Sequence, residues 1–233
     1  MKFEERTTDI IKRTHDVKSF RFRRPEGFDY KPGQYILVSL EVEGKVITKA
    51  FSLSSSPTEK DHIEFTKKLT GHPFSNVLDN MKIGDSAVIS GPFGKMTFEG
   101  EYAKVALLSG GIGITPMISI CRYCTDLHLD ADIVLIYSNK TENDLAFREE
   151  LDEMMHNNNN NLKVVYTLTR ASESWTGCRE RICENMVIRE IPDYRERHFL
   201  ICGPPEMVRS MEEMLALMNI PKDMVKKEAL AGY

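Results

Sequence analysis

The 233 residues contain no apolar run near the about 18 needed to cross a bilayer. The opening MKFEERTTDI carries charges where a signal peptide needs an apolar stretch. Membrane insertion is therefore not expected, and a cytoplasmic location is. A basic excess is also missing: 31 Lys and Arg against 35 Asp and Glu leave a net charge of −4, unlike a nucleic-acid binder. Cysteine is sparse and poorly placed for cross-links. Cys121, Cys124, Cys178, Cys183 and Cys202 fit no disulfide framework. Cys121-x-x-Cys124 lacks a second pair, so a zinc ribbon is not supported, and small buried residues on a helix are the ordinary reading. No C-x₄-C-x₂-C run is present, which excludes a plant-type iron–sulfur domain within this chain. His72 has no carboxylate or cysteine at ligand spacing. No metal site is expected.

What is present divides near Phe98–Ala103. Residues 1–99 read as antiparallel β structure: apolar or alternating runs at Ser19–Phe22, Tyr35–Leu40, Ile63–Thr66 and Ala87–Ile89 are broken by Pro25-Glu26-Gly27, Lys31-Pro32-Gly33, Glu43-Gly44 and Gly91-Pro92. Such spacing favours a barrel or sandwich. A short helix is expected over Ser75–Met81, with Ser75 as N-cap. Residues 100–233 change texture. Val105–Ser109 is a continuous apolar run, as in a strand buried on both faces. Helix Met117–Leu127, strand Ile133–Tyr137, helix Asp144–Met155, strands Lys163–Leu168 and His198–Cys202 and helix Glu206–Met218 follow. This alternation predicts a doubly wound parallel sheet. The polar run Asn157–Asn161 reads as a surface loop.

Four segments could carry chemistry. Ser109-Gly110-Gly111-Ile112-Gly113-Ile114-Thr115-Pro116 stands where a buried strand hands over to a helix. Glycines there let the backbone approach a pyrophosphate, and the helix start aims N–H groups at it. A tight connection with no ligand would look similar, so companions decide. Cys202-Gly203-Pro204-Pro205 ends another apolar strand, and in an open parallel sheet both turns face one crevice. In the first half, Lys49, Phe51 and Leu53 share one strand face and Ala50, Ser52 and Ser54 the other. An aromatic and a cation on one face suit a ring and a phosphate of one ligand, although an ordinary barrel strand fits equally. Gly71-His72-Pro73-Phe74-Ser75 opens a short helix that would accept a phosphate or simply a hydroxyl cap.

Together these segments resemble the ferredoxin–NADP⁺ reductase superfamily, its compact members without a fused iron–sulfur domain. Pro32-Gly33-Gln34-Tyr35, Lys49–Ser52 in the R-x-Y-S slot, Gly71–Ser75, Gly91-Pro92-Phe93-Gly94, Ser109–Pro116, Trp175-Thr176-Gly177 and Cys202–Met207 occur in the family's order over nearly the whole chain. The resemblance implies a flavin-binding barrel over 1–99 and a nicotinamide-nucleotide domain over 100–233. It implies FAD, with FMN as the alternative, and NAD(P)H as co-substrate. Phe51 would pack on the isoalloxazine and Ser52 would bond near N5. Lys49, Ala50, Phe65, Thr66, Lys67, Gly71, Phe74 and Ser75 would complete the flavin site. Gly110, Gly111, Gly113, Thr115 and Pro116 would hold the pyrophosphate and nicotinamide. Ser138, Asn139, Thr169 and Arg170 would receive the adenosine end. Cys202, with Gly203 and Pro204, would shape the hydride path beside nicotinamide C4, and Glu228 would relay protons.

Three departures stand out. Lys49 replaces arginine and loses its planar fork; Phe51 replaces tyrosine; Leu230 stands where many relatives have a ring that Tyr233 would then supply. Arg170 suits a 2′-phosphate, whereas Ser138-Asn139-Lys140 resembles NADH-using relatives. The acceptor is expected to be a separate protein, such as a ferredoxin, flavodoxin or oxygenase component, or a small molecule. A cluster of Arg21, Arg23, Arg24 and Lys31 would steer an acidic carrier, or be a solvated edge. A free-flavin or quinone reductase and a non-catalytic nucleotide-binding subunit are the alternatives.

Overall fold

The computed structural model describes residues 1–157 and 161–230. Two sheets divide it. The first has the strand order β4-β3-β6-β1-β2-β5, with β1 Lys2–Lys12, β2 Val17–Arg23, β3 Tyr35–Val42, β4 Lys45–Ser52, β5 His62–Lys68 and β6 Ser86–Phe93. Every pairing in it is antiparallel. Its outer strands β4 and β5 curl together at the Leu53–Phe65 bridge, so the expected barrel is a curled sheet. Alternation explains the curl: Ile36, Val38 and Leu40 of β3 turn inward while their neighbours stay partly exposed. Phe65 is the hub of the interior. Its ring stacks on Phe51 at 4.8 Å, Phe20 at 5.2 Å and Phe22 at 5.9 Å. Aromatic pairs of this kind contribute roughly 0.5–1.5 kcal/mol each beyond the area they bury.

The sequence reading omits β1. The strand carries charges on its outer face, buries only Thr7 completely, and slips register between Thr7 and Asp9. Such a bulged strand has no clean period of two. The helix α1, Pro73–Asn80, starts earlier than expected because proline at a first helical position sacrifices no needed N–H. Ser75 is consequently not its N-cap. It lies within the helix, and its Oγ accepts the Thr70 N–H at 2.9 Å.

The second sheet is parallel throughout, in the order β11-β10-β7-β8-β9. Its strands are β7 Lys104–Gly110, β8 Asp132–Asn139, β9 Leu162–Leu168, β10 His198–Gly203 and β11 Val225–Ala229, connected by α2 Ile114–Asp126, α3 Arg148–Asn157, α4 Glu184–Glu190 and α5 Pro205–Leu217. Val105 and Leu107 pack with α2 and α3, whereas Ala106 and Leu108 pack with α4 and α5. A strand covered on both faces needs an apolar residue at every position. The short α4 and the edge strand β11 are additions to the sequence reading; α4 buries only Met186 and Val187, and β11 reads Val-Lys-Lys-Glu-Ala. Within the polar run, residues 158–160 lie outside the described residues, as does Tyr233. Winding reverses between β7 and β10: β8 and β9 lie on one side of β7, β10 and β11 on the other. Ligands of open parallel sheets bind at such a switch point. Among the described residues, no helix is long and apolar enough to cross a membrane.

Candidate functional site

Both glycine turns meet at this switch point. A Cβ on Gly113 would stand 2.2 Å from the Cys202 carbonyl oxygen and 2.7 Å from the Gly203 nitrogen. Only glycine lets the start of α2 come this close to the end of β10. Gly111 adopts φ 53° with no heavy atom within 4 Å of where its Cβ would project, so the turn opens onto free space. Thr115 and Pro116 are buried in the first turn of α2, where Thr115 Oγ1 donates to the Ile112 carbonyl at 3.1 Å. At the mouth of β8, Asn139 is 8% exposed, and among the described residues neither its Nδ2 nor the Oγ of Ser109, fully buried at the end of β7, has a hydrogen-bond partner. Buried donors left in this state call for an acceptor from outside the chain. A glycine cradle beside unpaired donors fits a dinucleotide.

A row of side chains crosses the strand ends. The register places Glu228 of β11 beside Cys202 of β10, and Cys202 beside Ser109 of β7. From the barrel, Ser52 at the end of β4 donates to Glu228 Oε1 at 3.3 Å. The three residues named as catalytic from the sequence, Ser52, Cys202 and Glu228, are thus gathered at one point. Burial raises the Glu228 carboxyl above its ordinary value, offset only partly by the Ser52 hydrogen bond. Cys202 has no solvent exposure, and burial together with the Glu228 charge pushes its thiol well up. Cys202 is therefore a neutral, polarisable contact and not a nucleophile.

The barrel side departs from expectation in two places. Phe51 is 4% exposed and stacks on Phe65 and, at 5.9 Å, on Phe74, so its ring belongs to the barrel core and does not lie open beside Lys49. Thr66 turns to the other face of β5, where its Oγ1 pairs with Ser19 at 2.7 Å and Ser54 at 2.8 Å; only its backbone is left for a ligand. Lys49 and Ala50 are exposed, and Gly71 is exposed with φ 74°. Lys67 is 5% exposed, its pKa lowered to about 8 by burial and by neighbouring Lys49. Among the described residues β4 and β5 meet at the Leu53–Phe65 bridge and the adjoining Ser54–Glu64 bond, and are otherwise laddered on one side, to β3 and β2, so the rest of their facing backbone edges retains hydrogen-bonding groups. Two cations beside two open strand edges fit a flavin phosphate and a ring with polar edges.

At the end expected to receive the adenosine, Thr169 and Arg170 are exposed beyond β9, tied to the Asn139 and Lys140 carbonyls through their N–H groups at 3.0 and 2.7 Å. Ser138 and Asn139 end β8 beside them. Gly203 leads into Pro204, the N-cap of α5. Three of the four residues of the barrel's basic cluster are engaged within the chain, and Arg23 is exposed. Arg21 donates to Glu64, Arg24 to the carbonyls of Phe28, Pro57 and Glu59, and Lys31 pairs with Glu99. A group that sequence reasoning missed lies behind the crevice: Glu64, Arg13, Arg122 and Glu150 form an ion network between the two halves. Its signal was a lone charge inside each of two apolar segments, Ile63-Glu64-Phe65 and Ile120-Cys121-Arg122. Cys121 and Cys124 are buried among apolar residues, the ordinary reading.

Family models for an oxidoreductase FAD-binding domain and an oxidoreductase NAD-binding domain match residues 6–98 and 107–213. The chain is 31% identical over 218 residues to a glycine betaine monooxygenase reductase subunit of Chromohalobacter salexigens, covering 90% of this chain and 59% of that protein. It therefore spans about three-fifths of the length of that relative. It is 32% identical to NADH-cytochrome b5 reductase 2 of Danio rerio, over 94% of this chain and 80% of the relative. Among solved structures, the ferredoxin reductase in carbazole 1,9a-dioxygenase superposes with a TM-score of 0.84 at 26% identity, covering 99% of this chain and 69% of the other. With both domain models matched in order and the crevice built between them, the chain belongs to the ferredoxin–NADP reductase-like family of FAD- and NAD-binding oxidoreductases.

Proposed function

We propose that the chain is a reductase that takes a hydride from NADH or NADPH onto FAD and passes electrons to a separate acceptor. The observation that carries this reading is the convergence of Ser52, Glu228 and Cys202 with the Gly110–Gly113 cradle at one switch point. When bound, the flavin supplies hydride acceptance and release of electrons one at a time. The protein's share is position. Gly110, Gly111 and Gly113 would receive the pyrophosphate, with the α2 N-terminus behind them. Cys202, neutral and buried at the end of β10, would limit how close the nicotinamide comes, and Ser52 would donate toward the flavin's polar edge. Glu228, raised in pKa and bonded to Ser52, would hold a proton beside that edge. Lys49 and Lys67 would face the flavin phosphates, with Ser75, Phe74 and Gly71 at the adjoining helix start. Thr169 and Arg170 would lie at the adenosine.

The acceptor we infer is an oxygenase component or an electron-carrier protein; five free cysteines suit a reducing compartment such as the cytoplasm. One observation favours a second reading, the free-flavin reductase: Phe51 is folded into the barrel core and Lys49 offers no planar fork, so grip on flavin would be weak. Purification with measurement of bound flavin, followed by turnover with free FMN and with carrier proteins, separates the two. A stoichiometric FAD with electrons delivered to a carrier supports the first reading. A colourless protein that reduces added flavin overturns it in favour of the second.

A further inference from the structure

The crevice occupies only part of the contact between the two sheets. Behind it, α2 presents Ser119, Arg122 and Asp126 at spacings of three and four, one face of the helix. That face lies on the segment from Ser54 to Thr58. Ser119 Oγ donates to the Ser55 carbonyl at 2.6 Å, Arg122 Nη1 to the Ser54 carbonyl at 2.7 Å, and Thr58 Oγ1 to the Asp126 carboxylate. Arg122 is 8% exposed, and its remaining nitrogens fork onto Glu150 of α3, the Nη2 bond measuring 2.9 Å. Nη1 also stands 3.6 Å from Glu64, which has no solvent exposure. On the barrel side Glu64 is held by Arg13 at 3.0 Å, Arg21 at 2.9 Å and Ser54 Oγ at 2.9 Å.

Both ends of this contact lead directly to the reactive point. Ser54 lies two residues beyond Ser52, and α2 begins where the Gly110–Gly113 turn ends. Two of the bonds run from α2 side chains to the main-chain carbonyls of Ser54 and Ser55, so they tie the face of α2 to the backbone that follows β4 across the seam. The planar fork onto Glu150 of α3 fixes the orientation of the guanidinium, so that its Nη1 is aimed at the Ser54 carbonyl across the seam. Displacing it would leave buried charges unpaired, which is strongly unfavourable. We propose that Arg122 and Ser119 are positioning residues that set the distance and angle at which nicotinamide meets flavin, an inference that rests on the function proposed above. They touch neither cofactor and act through Ser54 and Ser55.

The test uses flavin-loaded protein with Ser119→Ala, Arg122→Lys and Arg122→Gln. Each is mixed anaerobically with saturating reduced nicotinamide, well below its own melting temperature. The limiting rate of flavin reduction, the long-wavelength charge-transfer absorbance of stacked nicotinamide and flavin, and KM are recorded. Misplacement by about 1 Å costs on the order of 100-fold in rate, so Arg122→Gln should approach that loss. Ser119→Ala should fall several-fold and Arg122→Lys should lie between. The charge-transfer absorbance should weaken in the same order while KM and flavin content change little. If Arg122→Gln does not fold, the other two variants carry the test. Wild-type rates and wild-type charge-transfer absorbance in Ser119→Ala and Arg122→Lys would overturn the inference, leaving these residues as supports of the fold alone. Failure of the wild-type flavin to bleach would instead overturn the functional reading beneath it.

Discussion

Glu64 and Glu228 both lie in the seam between the sheets, and their surroundings differ in kind. Burial alone would raise the Glu64 carboxyl, but Arg122, Arg13 and Arg21 outweigh it and hold the pKa below the ordinary value. Glu228 has one side-chain hydrogen-bond partner among the described residues, Ser52, and burial leaves its pKa raised. The first carboxylate is saturated and fixes geometry. The second is under-partnered and sits beside a hydroxyl and a thiol at the mouth of the crevice. One seam thus separates a charge-balanced rear, whose carboxylate is lowered in pKa, from a front whose carboxylate is raised, and groups with shifted pKa values are informative only once their partners are counted.

The largest effect that would break this contrast is Glu64→Gln. Removing one member of a buried network strands the others, and urea unfolding at pH 7 should show a loss of about 3–5 kcal/mol. The pH dependence follows from the sign of the shift. With its folded pKa below the unfolded 4.5, Glu64 stabilises fully above that value and loses its contribution as pH falls through the folded pKa. The variant should show a shallower loss in that acid range.

Next comes the cradle at the front. Gly113→Ala would drive a methyl into the Cys202 backbone at 2.2 Å, costing about 1–3 kcal/mol and weakening coenzyme binding measured by fluorescence titration. Gly110→Ala meets chiefly the Met207 thioether, a side chain that can move, so it should cost less. Cys202→Ser should slow flavin reduction in stopped flow about tenfold, equivalent to about 1.4 kcal/mol of barrier, with flavin still bound. An unchanged rate would remove Cys202 from the hydride path. Arg170→Ala should shift the ratio of kcat/KM for NADPH over NADH; a constant ratio would exclude Arg170 from the 2′-phosphate site. Glu228→Gln should give the smallest change in stability, with opposite pH sense to Glu64. Because the folded pKa is raised, the wild type loses stability as pH rises from 4.5 through that pKa, and the variant should not.

The two halves were not equally legible in the sequence. In the parallel half, Val105–Ser109 and the two glycine turns declared both the sheet and its ligand crevice, because strands buried on both faces and backbones in near contact allow few residue types. In the barrel, β1 escaped notice since a bulged strand with one wet face carries little hydrophobic signal. Side-chain direction was the harder problem. The alternation Lys49, Phe51, Leu53 put Phe51 on the right face, yet curling of the sheet turned that ring into the Phe65 stack. Thr66 likewise lay on a strand at the site but faced away from it. The rear network could not be read in advance, since Glu64 and Arg122 are 58 positions apart and become partners only when the halves dock.

The account rests on hydride passage across this seam. Anaerobic mixing of the flavin-loaded protein with NADH or NADPH carrying deuterium at the transferred C4 position tests it most directly, through the flavin absorbance. Bleaching by at least one of the two coenzymes, slower with deuterium than with hydrogen, is the predicted result. Flavin that stays oxidised in excess of both would contradict it.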